Sequence, residues 1–469
     1  SFAQNFNSQD HFSHINRFDK NDFKKKKKKL FSIGNKVITF IDPERDNRNI
    51  PTEIFYPAVS GGNNAPFAEG VFPLLVFGHG FAMNYDSYQY LWEALVPLGY
   101  ILAFPKTEAS IIPFPDHADF GQDMAFLVAK IKALGMEEGS EFYGKVSANA
   151  AVMGHSMGGG AAFLAAADNE TVAAVINFAP AETDPSAIAA AALAKGPVLI
   201  FAGENDCVTP VPEHQLPMFN SAPEGKKMLV TINGGGHCYF GDYNFFCSFG
   251  ENSCSPDPAI SRATQQQITL SLLVPFLEFQ LKGKYSGWVD FQNELATQDV
   301  QSENGWTDVP EPAVVDLEPG WNSFSFSQRP VERTFAYLSA GLGDNLLYFS
   351  DGSEVGFTGQ NIPANYFPDT EAGYFVKVAD SVRLEFAALP RTETSFMLEA
   401  GWQLLPVLSG SPVNIGDLFQ EGSPQFEIIK EVAGIEVNWP EKSVSTLQVL
   451  QLNRAYRVKM MEAGEVVFP

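Results

Sequence analysis

The chain is short of positive charge, of cysteine and of long apolar runs. Its 31 lysines and arginines face 55 aspartates and glutamates, a net charge of −24 over 469 residues. So acidic a surface repels phosphate backbones and anionic headgroups, which excludes nucleic acid as a partner. No segment approaches the roughly 18 consecutive apolar residues of a membrane-crossing helix, so no membrane insertion is expected. The four cysteines, Cys207, Cys238, Cys247 and Cys254, crowd into one segment and contain no Cys-x2-Cys pair. A structural zinc site is therefore not expected, and no metal or cofactor is called for. Residues 301–469 hold no histidine or cysteine, and with 10 basic against 23 acidic side chains they offer no catalytic constellation.

The one basic block is Lys24–Lys29, inside an arm spanning residues 1–30. A run of like charge reads as a solvated tail, with a surface tether as the sharper alternative. The small residues of the opening Ser1-Phe2-Ala3-Gln4 are compatible with a cleaved secretory leader. What the chain has in abundance is core-forming material, 45% hydrophobic residues with 40 phenylalanines, enough for more than one domain.

The most informative segment is Val152-Met-Gly-His-Ser156-Met-Gly-Gly-Gly160. An apolar strand-like run precedes it and a small-residue, helix-like run follows. A Gly-x-Ser-x-Gly pentapeptide between strand and helix predicts a nucleophile elbow with Ser156 at its apex. The next strand-like run, Gly196–Ala202, ends in Gly203-Glu-Asn-Asp206, and the one after, Lys227–Ile232, ends in Asn233-Gly-Gly-Gly-His237. Serine, acid and histidine thus follow one another with about one helix–strand unit between them. Asp206 is preferred to Glu204 and Asp184 as the acid, and His237 is assigned as the base. The second oxyanion donor should follow an earlier strand, and Phe72–Gly78 leads into His79-Gly80-Phe81. The N–H groups of Phe81 and Met157 are the expected pair.

The blocks Ala151–Gly160 and Pro197–Val211, with the early strand pair around Arg48–Pro57, resemble the bacterial cutinase and polyester (PET) hydrolase group. That group lies in the dienelactone-hydrolase-like branch of α/β-hydrolases, and the likeness spans roughly residues 34–285. The resemblance implies an α/β-hydrolase with a doubly wound, mostly parallel sheet. It carries Ser156, Asp206 and His237 onto the triad and Phe81 and Met157 onto the oxyanion positions, and it implies an ester or polyester substrate. Phe81, His155 and Tyr239 are assigned to substrate contact. Two departures stand out. The aromatic clamp residue of the group is missing from Ala179-Pro-Ala-Glu-Thr-Asp184. The segment Cys238–Phe249 is longer and more aromatic, either a roof over the acyl pocket or a patch packed beneath the last helix. By position, and by analogy with a bridge in some polyester hydrolases, the expected disulfides are Cys207–Cys238 and Cys247–Cys254, the other pairings remaining open.

After a helix-like run at 262–282, the polar, proline-bearing segment 299–316 reads as a linker. It divides a catalytic domain, residues 31–298, from an all-β module, residues 317–469. The module repeats internally with a period of about 80 residues: Gly320-Trp321 returns as Gly401-Trp402 and Tyr374 as Tyr456. It resembles β modules appended to bacterial hydrolases exported by the type IX route. Exposed aromatics there would offer contact to a polymer or a cell surface. Trp321 and Trp402, at matched positions, are instead expected in the core of each repeat. The reading is a secreted, extracellular serine esterase. Its alternatives are a lipase or small-ester esterase, and a non-catalytic binding or adhesion protein of the same fold, against which the intact triad counts.

Overall fold

Strands buried on both faces read as unbroken apolar runs. Phe72–Gly78, Ala174–Phe178 and Val198–Gly203 are such runs, buried along their whole length. In the computed structural model they lie at the centre of a ten-stranded sheet. The structure describes residues 30–469 except 308, 332–341, 343–344, 353–367, 392–393 and 421–424, so the lysine block Lys24–Lys29 lies outside the described residues.

Along the chain the strands are β1 (Ser32–Asp42), β2 (Arg48–Ala58), β3 (Gly62–Asn63), β4 (Phe72–Gly78), β5 (Ile101–Pro105), β6 (Val146–His155), β7 (Ala174–Phe178), β8 (Val198–Gly203), β9 (Lys227–Ile232) and β10 (Val300–Asn304). Their spatial order is 10-9-8-7-6-4-5-2-1-3. Strands β4 to β9 are mutually parallel, and the antiparallel pairs are β1–β2, β2–β5 and β9–β10.

The helices are α1 (Gln89–Leu95), α2 (His117–Met136), α3 (Met157–Ala166), α4 (Ala187–Ala191), α5 (Gln215–Ser221), α6 (Phe245–Glu251), α7 (Arg262–Gln280) and α8 (Tyr285–Thr297). Buried residues of α2 to α5 share one apolar core, and those of α1, α7 and α8 share a second. Two cores on one sheet give the layered, doubly wound α/β-hydrolase architecture that the sequence predicts. Among the described residues no helix is long and apolar enough to cross a membrane.

The expected linker is not one. Its first part is β10, which pairs with β9, and Trp306 just after it packs against Phe276, Phe279 and Trp288. Val-Gln-Ser-Glu-Asn is polar because β10 is an edge strand that needs no apolar faces. The later part is already in the β module.

That module consists of β11 (Glu311–Leu317), β12 (Gly320–Ser325), β13 (Leu346–Ser350), β14 (Gly373–Val378) and β15 (Val382–Leu389), then β16 (Ser395–Leu398), β17 (Gly401–Pro406), β18 (Phe426–Glu431), β19 (Ala455–Met460) and β20 (Gly464–Val467), with a few shorter bridges. The second five repeat the first five in pairing and register. Trp321 lies opposite Lys377 and Trp402 opposite Lys459. Val315 faces Leu384 and Phe396 faces Val466. Both copies slip register at the same place, between Leu346 and Tyr348 and between Phe426 and Ile428. Even the turn before each tryptophan strand is built alike: Asn322 Oδ1 accepts from Glu318 N–H, and Gln403 Oε1 accepts from Glu399 N–H.

Trp321 and Trp402 correct the expectation of core burial, being 49% and 46% exposed. The repeat cores are filled instead by Phe324, Phe326 and Tyr374 in one copy and Leu405, Val458 and Tyr456 in the other.

The module meets the other unit at the amino ends of the parallel strands. Asn149 in the first half of β6, and Ala173, Pro197 and Lys226 just before β7, β8 and β9, line a 140 Å³ cleft with Arg329, Pro330, Val331 and Leu389. Ala387 N–H bonds Gly283 O nearby at 3.1 Å. Ser156 lies at the opposite, carboxyl edge of the same strands.

Candidate active site

Between β6 and α3 the chain must turn sharply, and Ser156 takes the strain. Its φ of 56° with ψ of −123° is a conformation that side-chain-bearing residues rarely adopt, held at a cost of roughly 1–3 kcal/mol. The flanking glycines are there for space. A Cβ on Gly154 would lie 2.1 Å from Gly158 O, and one on Gly158 would lie 2.1 Å from Gly78 O. The elbow sets Ser156 at the N-terminus of α3, where the helix dipole favours a developing negative charge. Met157 is the first residue of that helix, and Phe81 follows β4 on the neighbouring strand's loop. Among the described residues neither the Met157 N–H nor the Phe81 N–H is committed to an acceptor. Phe81 keeps its ring partly exposed, 5.2 Å from that of Phe114.

Asp206 ends the turn after β8, and its two oxygens have separate tasks. Oδ1 accepts from the N–H groups of Val208 and Thr209, at 2.9 and 2.8 Å, which fixes the carboxylate. Oδ2 lies 2.8 Å from His237 Nδ1. A carboxylate only accepts, so Nδ1 carries the proton and Nε2 is the basic nitrogen. Both side chains are buried. Glu204, the rival acid, is occupied elsewhere, accepting from Gly234 N–H at 2.8 Å. Asp184 is not drawn to the histidine either; its N–H bonds His117 Nδ1.

The glycine-rich loop before His237 is pinned rather than free. Gln265 on α7 clamps the peptide of Gly236 through both its amide atoms, at 2.9 and 2.8 Å. Cys238 N–H donates to the buried Glu251 carboxylate at 3.0 Å. Burial pushes the Glu251 carboxyl up, and that N–H bond partly opposes the shift. The Arg262 guanidinium donates to Cys238 O and Gly241 O and stacks 4.5 Å from the Tyr239 ring, so one face of Tyr239 is already covered.

His155 corrects the assignment to substrate contact. It is fully buried, with Nε2 3.0 Å from His237 O and Nδ1 3.0 Å from the Tyr88 hydroxyl. The Tyr88 oxygen also accepts from Gly80 N–H at 2.9 Å. His155 is thus a positioning residue, joining the loop of His237 to the turn that presents Phe81.

The disulfides are also corrected. They are Cys207–Cys254 and Cys238–Cys247, each with Cα atoms 5.7 Å apart. Asp206 and His237 turn their side chains toward each other, so the cysteines that follow them face away, toward the segment crossing behind them. That segment carries α6, and the two bridges staple it to both loops. Tyr243, Phe245, Phe246 and Phe249 of this segment are exposed, while Phe240 is buried against His155 and Phe178.

Four contributors escape sequence reasoning: Thr209, Tyr88, Gln265 and Glu251. The Thr209 hydroxyl sits 2.9 Å from both Asp206 Oδ2 and His237 Nδ1. Its one signal is the Asp-x-x-Thr spacing, in which the aspartate caps the following N–H groups. Tyr88, Gln265 and Glu251 act from distant segments and leave no local signature.

A protein-family model described as PET hydrolase-like matches residues 52–248, from β2 into α6. The match supports an ester hydrolase of the α/β-hydrolase type over that region, and it stops before the β module. No curated protein matches the chain.

Proposed function

We propose that the protein is a secreted serine esterase of the cutinase or polyester-hydrolase kind, with Ser156, His237 and Asp206 as its triad. The observation that carries this reading is the 2.8 Å contact of Asp206 Oδ2 with His237 Nδ1, taken together with a serine held at the apex of an elbow. Ser156 Oγ attacks the ester carbonyl while His237 Nε2 takes its proton. Asp206 keeps the imidazole in the required tautomer and stabilises the imidazolium. The carbonyl oxygen, as it gains charge, is met by the Phe81 and Met157 N–H groups. His237 returns the proton to the departing alcohol, and water activated by the same nitrogen then releases the acyl group from Ser156.

Substrates with apolar surface are favoured by the exposed phenylalanines of α6 and by the Phe81–Phe114 pair. Phe81 and Phe114 could take up the part of the missing clamp aromatic. Two disulfides fit an extracellular setting.

The test is hydrolysis of p-nitrophenyl butyrate by the intact protein and by Ser156→Ala. The expected result is a loss of at least about a thousandfold in kcat with an unchanged circular dichroism spectrum. Retention of rates within about tenfold of the parent would remove Ser156 from the chemistry.

A further inference from the structure

The duplicated module builds one constellation twice, and reciprocally. Trp321 lines a cleft of about 370 Å³ whose first wall, with Asp316 and Asn322, belongs to its own repeat. The facing wall, with Glu431, Asn453 and Arg454, belongs to the second repeat. Trp402 lines a cleft of about 510 Å³ with Gln403 and Arg457 of its own repeat, facing Asp351, Asp369 and Glu371 of the first. Asp351 and Glu431 are equivalent positions: each follows the residue that pairs with the matching site of the central strand, Ser350 with Phe375 and Lys430 with Arg457. Each indole is steadied by a cation, Lys377 at 5.5 Å from Trp321 and Arg457 at 5.0 Å from Trp402. A tryptophan left exposed by accident in one copy has no reason to be half-exposed, at the same register and in a cleft shared with a carboxylate of the other repeat, in the second copy.

The chemistry of the walls selects the occupant. Asp316, Glu318 and Glu431 in one cleft and Asp351, Asp369 and Glu371 in the other make both walls rich in acceptors. They call for a ligand that brings donors. A polyester brings only carbonyl and ether oxygens, which carboxylates repel. An anionic polymer is repelled by the charge of residues 301–469 as a whole, 10 basic against 23 acidic side chains. A neutral polysaccharide supplies hydroxyl donors around each ring and an apolar C–H face that lies flat on an indole. Both clefts fall within the roughly 300–1,000 Å³ of small-ligand sites.

We propose that these paired clefts are a bivalent binding site for a neutral polysaccharide, one chain segment over Trp321 and another over Trp402. Two sites on one rigid module add avidity, so each contributes more together than apart.

The test uses the full chain and the variants Trp321→Ala, Trp402→Ala and the double variant. Retention is measured on microcrystalline cellulose, insoluble β-1,3-glucan and chitin, with polyester powder in parallel. Retention on at least one of these glycans is expected, about a hundredfold weaker in each single variant, which loses the avidity, and abolished in the double. Hydrolysis of p-nitrophenyl butyrate should stay unchanged, which shows that the variants fold and separates this outcome from any failure of the esterase reading. Phenylalanine at both positions should restore part of the retention. The proposal is overturned if none of the three glycans retains the protein above serum albumin, or if the double variant binds glycan like the parent. Loss of binding to polyester alone would also overturn it and assign the clefts to the polymer.

Discussion

Replacing Tyr88 by phenylalanine removes a single oxygen and should damage both stability and turnover. The His237 carbonyl can only accept, so the His155 Nε2 that faces it at 3.0 Å must carry the proton. Nδ1 is then an acceptor for the Tyr88 O–H, whose oxygen in turn receives Gly80 N–H. Burial holds His155 well below its ordinary range and pushes the Tyr88 phenol up, so both stay neutral and the direction of the three bonds is fixed. Tyr88→Phe leaves the Gly80 N–H and His155 Nδ1 buried without a partner, at about 1–3 kcal/mol each. The total, about 2–6 kcal/mol, corresponds to a Tm lower by roughly 5–15 °C for a unit of this size. The bridge also sets the Phe81 turn against the His237 loop, and losing it should lower kcat about tenfold, equivalent to about 1.4 kcal/mol of barrier. Thermal unfolding and p-nitrophenyl butyrate kinetics read the two effects separately. A variant melting within about 1 °C of the parent with unaltered kcat would refute the argument that this hydroxyl holds two parts of the site together.

The domain boundary gives a second prediction. A chain ended after Thr307 keeps β10 and Trp306 and should hydrolyse soluble esters within about twofold of the parent. One ended at Asp299 strips the edge of β9 and the Trp306 packing, worth about 3–5 kcal/mol, and should be recovered insoluble or melt at least about 10 °C lower. A third concerns acid stability. Burial opposes charge on Glu278, but Lys282 at 2.8 Å and Lys284 outweigh it and pull the carboxyl down to about 2. The folded value lies below the unfolded one, so the stabilisation, up to about 3 kcal/mol, is complete above about pH 4.5 and is lost as pH falls toward 2. Glu278→Gln should therefore flatten the dependence of the urea midpoint on pH over that window; an unchanged slope would contradict the assignment.

What could be read from the sequence was local backbone chemistry. The Ser156 elbow announces itself because a strained turn between strand and helix tolerates few residues, and a histidine after three glycines at a strand end is nearly as distinctive. Asp206 and Glu204 stand only two positions apart in one turn, and the structure gives Glu204 a different task on Gly234. What could not be read depends on direction. Cys207 and Cys238 sit beside residues that meet, and for that reason point apart, so nearness in sequence suggested the wrong bridges. His155 adjoins the nucleophile yet points into the core toward Tyr88. The recurrence of Trp321 and Trp402 suggests a core role, but duplication preserves an exposed position as faithfully as a packed one. The polar β10 looked like linker because an edge strand has no second neighbour to demand apolar faces.

The attachment of the module beneath the amino ends of β6 to β9 has a geometric consequence. Ser156 stands seven residues along the chain from Asn149, where the module meets β6, or about 23 Å of extended strand. A module that held a polysaccharide as proposed would moor the protein by the end of the sheet opposite the Ser156 elbow.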